Sequence, residues 1–327
     1  MHLFNIRGKV MSIISFLKLV EIQTKVASMI PFLLGTTYVL YRFDNFNIIN
    51  LALMFISLLS FDMTTTALNN YIDYKKAIKK HGFGYESHNA IVSYNLKETT
   101  VIAVIALMLA IAVIAGIMLY INTGFVVLLL GAISFGIGIL YSFGPIPISR
   151  TPFGELFSGF TMGFVITFLA AYIHLKDLGF IVLFYQGGML NISLNLPELL
   201  QIMLISVMPI CGIANIMLAN NICDMEDDVA NRRYTLPVYV GREKSLLLFR
   251  LIYYIGYLAV VIALLLGIVP ALSVLVLLTL IIVNKNIKAF NKLQTKEKTF
   301  ALAVKNFIVS NMALVFTITL GVIVKNL

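Results

Sequence analysis

NIINLALMFISLLSFDMTTTALNNYIDYKK at positions 47–76 and LLQIMLISVMPICGIANIMLANNICDMEDD at 199–228 are built to one plan. Each opens with a run of about 20 mainly apolar residues, the length a helix needs to cross a hydrocarbon core. Each run closes on Asn-Asn-x-x-Asp: Asn69-Asn70-Tyr71-Ile72-Asp73 in the first, Asn220-Asn221-Ile222-Cys223-Asp224 in the second. The second continues through Met225-Glu226-Asp227 to Asp228, and the copies lie 151 residues apart. The apolar runs are continuous, not alternating, so a membrane β-barrel is excluded and helices are expected.

The same reading extends to the whole chain. Apolar runs near 12–40, 47–73, 98–120, 125–142, 154–174, 199–221, 246–266, 268–284 and 302–324 predict nine spans in 327 residues. The expected fold is all-α: a polytopic membrane bundle forming one domain, 1–327. It comprises two similar four-helix halves, about 12–142 and 154–284, and a ninth helix. The short connections at Asn122–Gly124 and Gly267–Pro270 predict helical hairpins. Charge supports the count. With the N-terminus inside, eighteen Lys and Arg fall on cytoplasmic segments and three on outer ones, a strong positive-inside bias. The C-terminus is then outside, and both Asn-Asn-x-x-Asp motifs sit at the cytoplasmic face.

Composition excludes other classes. The chain is 60% hydrophobic and only 12% charged, which no soluble protein of this size can bury. Its net charge of +9 therefore reads as cytoplasmic loops facing anionic lipid, with no nucleic-acid partner. Cys211 and Cys223 are separated by ~18 Å of helix and cannot pair within it. The N-terminus shows no small-residue cleavage site, so the first span is expected to be its own insertion signal.

Residues three and four apart share a helix face. Asn70 and Asp73 therefore align on the second span, and Asn221, Asp224 and Asp228 on the sixth. If the two helices face each other, three carboxylates and two amides converge. Such a cluster repels itself unless a cation neutralises it. All-oxygen ligands without His or Cys favour Mg²⁺. A single Asn or Asp at a helix end is usually a solvated cap; two copies at one membrane depth argue against that. Basic residues follow each motif: Lys75, Lys76, Lys79 and Lys80, then Arg232 and Arg233. They can hold a diphosphate beside the metal, although topology alone would account for them equally well. Gly82 and Gly84 would let the first loop close over a substrate. The rival class, a secondary transporter, would place its charges near the midplane beside broken helices.

These residues resemble the UbiA superfamily of intramembrane prenyltransferases over nearly the whole chain. Asn69–Asp73 looks like that family's first aspartate-rich motif and Asn221–Asp228 like its second. Tyr141-Ser142-Phe143-Gly144-Pro145 with Gly154-Glu155, Thr235-Leu236-Pro237-Val238 with Gly241, and Ala27-Ser28-Met29-Ile30-Pro31 are similar to the 1,4-dihydroxy-2-naphthoate polyprenyltransferase branch. The resemblance implies nine helices in the cell membrane and transfer of a polyprenyl group from its diphosphate to an aromatic acid, giving demethylmenaquinone. Other acceptors in the superfamily are 4-hydroxybenzoate and haem. It also implies residue roles. Asp73, Asp224 and Asp228 would hold Mg²⁺, and Asn70 and Asn221 would orient water or the donor. Lys75, Arg232 and Arg233 would share the leaving-group charge, and Tyr141 would face the allylic cation. Lys25 would take the acceptor's carboxylate, and Glu155 would position the acceptor or a basic partner. The sequence departs from the pattern at Ala77 and Lys79, where relatives offer another Asp that Glu86 would have to replace. It departs again at Glu21-Ile22-Gln23-Thr24-Lys25, where many relatives have Arg-Pro-Lys-Thr.

Overall fold

The computed structural model describes residues 11–76, 89–142 and 147–327. Glu86, Gly82, Gly84, Ala77, Lys79 and the Gly144-Pro145 pair lie outside them. Eight described helices are long and apolar enough to cross a membrane: Ile22–Phe43, Ile48–Lys75, Glu98–Thr123, Gly154–Leu175, Leu196–Cys223, Arg242–Leu265, Ala271–Lys292 and Phe300–Lys325. A shorter apolar helix, Phe125–Tyr141, occupies the remaining expected position. In chain order these are the first to ninth spans used below.

Local backbone chemistry sets the boundaries. The run 12–40 is not one helix. Ser12 caps a separate helix, Ile13–Leu19, in a reciprocal box with Ser15. Glu21 then adopts φ 47° and breaks the chain before the first span. Both pieces are apolar, so hydropathy alone merged them. The seventh span ends in a Schellman turn: Gly267, at φ 65°, donates its N–H to the Leu264 carbonyl, and Ile268 donates to Ala263 at 2.9 Å. Pro270 follows and caps a 3₁₀ segment, Ala271–Leu278, that opens the eighth span. The third and fourth spans part at Gly124, with φ 91°.

One element was not expected. Ile181–Gln186 and Met189–Leu194 form an antiparallel hairpin between the fifth and sixth spans, in register Ile181↔Leu194. Gly187 and Gly188 supply its turn at φ 61° and 81°, the positive values a two-residue hairpin requires.

The chain divides into two compact units, Met1–Val26 with Ala52–Ile121, and Ala27–Leu51 with Asn122–Leu327. In the first unit, Leu19, Val20, Ala67, Ile91 and Val101 form a buried cluster. Ser57 Oγ donates across to the Ala112 carbonyl at 2.8 Å. In the second unit the sixth span is central and packs on the fifth, seventh and ninth. Lipid offers helices no hydrophobic drive to associate, so close approach and polar bonds must hold them. Gly159 and Gly163 provide the approach: a Cβ on Gly163 would lie 2.5 Å from the Ile210 nitrogen, and one on Gly159 2.8 Å from the Ile210 carbonyl oxygen. The backbone over the same stretch, Gly159–Val165, is a π-helix, a form that recurs at functional sites. Asn215 adds a polar bond, its Nδ2 donating to the Phe249 carbonyl at 3.0 Å.

Candidate active site

The second motif occupies a helix–turn–helix corner. The sixth span ends at Cys223, Asp224 caps it, and Met225–Ala230 forms a short helix. That helix stops in another Schellman turn: Arg232 donates to Val229 at 3.1 Å and Arg233 to Asp228 at 2.8 Å. Arg232 holds the left-handed position at φ 53°, where Gly is the usual residue. Its side chain is exposed.

The corner separates its acids. Asp228 is only 2% exposed, while Glu226 and Asp227 face outward. Asp228 Oδ2 accepts from Thr235 Oγ1 at 3.0 Å, and Arg233 Nε lies 3.3 Å from Oδ1 as an ion pair without hydrogen-bond alignment. Burial raises the Asp228 carboxyl above the ordinary range, against the lowering pull of Arg233 and Thr235. Asp224 Oδ2 is 2.5 Å from Lys296 Nζ, contributed by the loop before the ninth span.

One turn earlier, Asn221 Nδ2 donates 2.8 Å to Glu155 Oε1. Both side chains are buried, at 1% and 4% exposure. Asn221 Oδ1 and Glu155 Oε2 are buried with no hydrogen-bond partner, as is the Tyr141 hydroxyl. That hydroxyl lies against Gly154, 3.6 Å from where a Cβ would stand. Unsatisfied buried polar atoms are uncommon and call for an explanation, such as a ligand.

The first motif is wired differently. Asn70 Nδ2 donates to the Leu19 carbonyl at 2.9 Å and to Glu21 Oε1 at 3.2 Å, tying the second span to the segment before the first. Asn89 Nδ2 returns a bond to the Asn70 carbonyl at 2.8 Å. Asp73 is exposed. Lys75 pairs with Glu98 at 2.5 Å, and Tyr71 donates to the same carboxylate at 2.6 Å. Lys25 is 3% exposed, and its ammonium donates to Asp62 Oδ1 at 2.6 Å, the Asp62 carbonyl at 3.1 Å and Thr66 Oγ1 at 2.7 Å. A lysine has three such donors.

The structure therefore brings together Asn221 with Glu155, and Asp228 with Arg233. It gives Lys25 and Lys75 carboxylate partners, Asp62 and Glu98, that the sequence reading did not single out. Asp62 carried a signal: an acid inside an apolar span is functional by default. Thr235 entered only through a resemblance, and Lys296 had no local signal at all.

All-oxygen donors with two acids one turn apart suit a hard cation. Among the described residues no three His, Cys, Asp or Glu side chains gather to hold a metal. Mg²⁺ does not need such a cage, because it binds through one or two carboxylates, water and substrate phosphates. Asp224 and Asp228 fit that use, with Lys296 and Arg233 as the cations a metal would displace.

The family model for the UbiA prenyltransferase family matches residues 28–312. The chain belongs to that family. A curated relative, the 1,4-dihydroxy-2-naphthoate octaprenyltransferase of Bacillus subtilis (strain 168), is 30% identical over 242 residues, 73% of this chain and 70% of the relative. The UbiA fold is shared with a UbiA homolog from Aeropyrum pernix K1, at TM-score 0.63 and 19% identity over 91% of this chain and 98% of that one. It is shared also with a UbiA homolog from Archaeoglobus fulgidus bound to GPP and Mg²⁺, at TM-score 0.54 and 14% identity over 93% and 99%. The protein is thus a multi-pass membrane prenyltransferase.

Proposed function

We propose that this UbiA protein transfers a polyprenyl group from an allylic diphosphate to 1,4-dihydroxy-2-naphthoate, with loss of the acceptor's carboxylate, in menaquinone biosynthesis. The naphthoate enzyme of Bacillus subtilis, similar at 30% identity, supports the acceptor. The observation that carries the site is the buried Asn221–Glu155 pair, with one open oxygen on each residue, one turn before Asp224.

Mg²⁺, held by Asp73, Asp224 and Asp228, would supply the positive charge that stabilises the departing diphosphate. The chain's own cations share that work. Arg233 would turn from Asp228, and Lys75 from Glu98, to the departing diphosphate beside the exposed Arg232. Asn221 orients the donor or its water through Oδ1, and Asn70 does so while its Nδ2 anchors the span. Tyr141 offers an aromatic face to the allylic cation, whose lifetime depends on excluding water. Glu155 positions the acceptor. Lys25 takes the acceptor's carboxylate by exchanging it for Asp62. Positive-inside charge supports a site at the cytoplasmic face of the cell membrane, with the N-terminus inside and the C-terminus outside.

Purified protein, Mg²⁺ and labelled polyprenyl diphosphates of several lengths should be incubated with 1,4-dihydroxy-2-naphthoate, 4-hydroxybenzoate or haem. The expected product is a prenylated naphthoquinol lighter by CO₂. Turnover of another acceptor alone, or of none, overturns the reading.

A further inference from the structure

The eighth span carries a stripe that the prenyl-transfer chemistry does not use. Leu275, Leu278 and Ile281 are exposed on one side of it, at 47%, 61% and 73%. Continuing at helical spacing, the next three residues of that stripe are Lys285, Lys288 and Lys292, all exposed. Val283, Asn286, Ile287 and Phe290 fill the opposite, buried face. Among the described residues, none of these lysines has an acid within ion-pair distance. They border an open hollow of about 530 Å³ on the helix surface, with apolar Ile281 at one end and the Asn284 amide beside it. Tyr254 holds Asn284 in place, its hydroxyl donating to Oδ1 at 3.0 Å.

Geometry sets the depth of the stripe. Exposed leucine and isoleucine on a membrane helix face acyl chains. The change to lysine between Ile281 and Lys285 takes ~6 Å of helix, and the three lysines then cover ~10 Å. That spans the ~5–7.5 Å of one headgroup layer and reaches a few ångströms beyond it. Lysines at this level keep their stems along the apolar surface and their ammonium groups among phosphates.

We propose that Lys285, Lys288 and Lys292 form a binding site for an anionic phospholipid, its phosphate held by the lysines and its chains lying along Ile281 and Leu278. Charge complementarity favours an anionic over a zwitterionic headgroup, because each lysine adds attraction that a neutral headgroup does not return. Continuity with the lipid-facing stripe favours a lipid over a soluble phosphate.

The test uses the full-length protein in nanodiscs of phosphatidylcholine doped with phosphatidylglycerol, and reads the lipids retained after transfer to mild detergent by native mass spectrometry. Phosphatidylglycerol should be retained at least about tenfold above its mole fraction. The Lys285→Gln/Lys288→Gln/Lys292→Gln variant should lose that enrichment. A charge-matched control, Lys18→Gln/Lys244→Gln/Lys298→Gln, should keep it. All six positions are exposed, so both variants should fold, as checked by Tm. No enrichment in the parent protein overturns the proposal, as does equal loss in the control. Displacement of the lipid by millimolar inorganic phosphate would assign the site to a soluble anion and overturn it too.

Discussion

The two Asn-Asn-x-x-Asp copies share a sequence and differ in what their amides do. Asn70 spends its donor on a backbone carbonyl and on Glu21, fastening one chain segment to another. Asn221 spends its donor on a buried carboxylate and leaves Oδ1 open. Asp73 faces outward, whereas Asp228 is sealed between Thr235 and Arg233. The repeat thus preserves the spacing of its Asn and Asp residues and not their surroundings. The second copy is organised before any substrate arrives. The first leaves its aspartate at the surface, beside a lysine already neutralised by Glu98.

The largest expected effect breaks or keeps the pairing of the copies. Asp73→Asn, Asp224→Asn and Asp228→Asn should each lower kcat by at least ~10²-fold, because each removes an anionic ligand without changing shape. Asp227→Asn, on the exposed side of the corner, should cost less than ~3-fold by the same measure. Equal losses at Asp227 and Asp228 would place the metal on the wrong face.

A smaller effect sharpens the contrast between the amides. Asn221→Leu leaves Glu155 Oε1 buried without its donor and should lower kcat about tenfold, with a stability loss of about 1–3 kcal/mol. Asn70→Leu should lose similar stability and lower kcat less, by ~3-fold, because its Nδ2 is already committed to fastening the span. Steady-state kinetics beside thermal unfolding in detergent separate the two. If Asn70→Leu hits kcat harder than Asn221→Leu, the assignment of roles is reversed.

Metal and donor should bind with positive coupling. Mg²⁺ alone should raise Tm by a degree or two, since few protein carboxylates meet it. Mg²⁺ with a non-hydrolysable prenyl thiodiphosphate should raise it several degrees more, because the diphosphate completes the coordination shell and both ligands bind only the folded protein. Equal shifts with and without the thiodiphosphate would count against a prenyl-diphosphate site at these carboxylates.

The smallest effect concerns the Schellman turn. Arg232→Gly and Arg232→Ala both delete the cation and should lower activity alike. Glycine alone fits φ 53° without strain, so Arg232→Gly should be more stable than Arg232→Ala by about 1 kcal/mol. Chemical denaturation of the two variants measures the difference. No difference would mean that the turn relaxes around alanine.

Spans were legible in the sequence because lipid imposes a one-dimensional rule: about 20 apolar residues, closed by charge. That rule located every long helix among the described residues, and the period of the helix separated Asp228 from Asp227. It could not see the break at Glu21, because a left-handed residue between two apolar helices leaves no trace in hydropathy. It missed the hairpin at Ile181–Leu194, because strands of six residues are too short to register as spans. Partner choice was decided only by tertiary structure. Asn221 meets Glu155 across 66 residues, Lys25 meets Asp62 across 37, and Lys296 meets Asp224 from the approach to the last helix. Each partner is set by which helix faces pack together. Packing in a membrane is fixed by close-approach glycines such as Gly159 and Gly163 and by polar bonds between helices, not by the hydropathy that placed the helices in lipid.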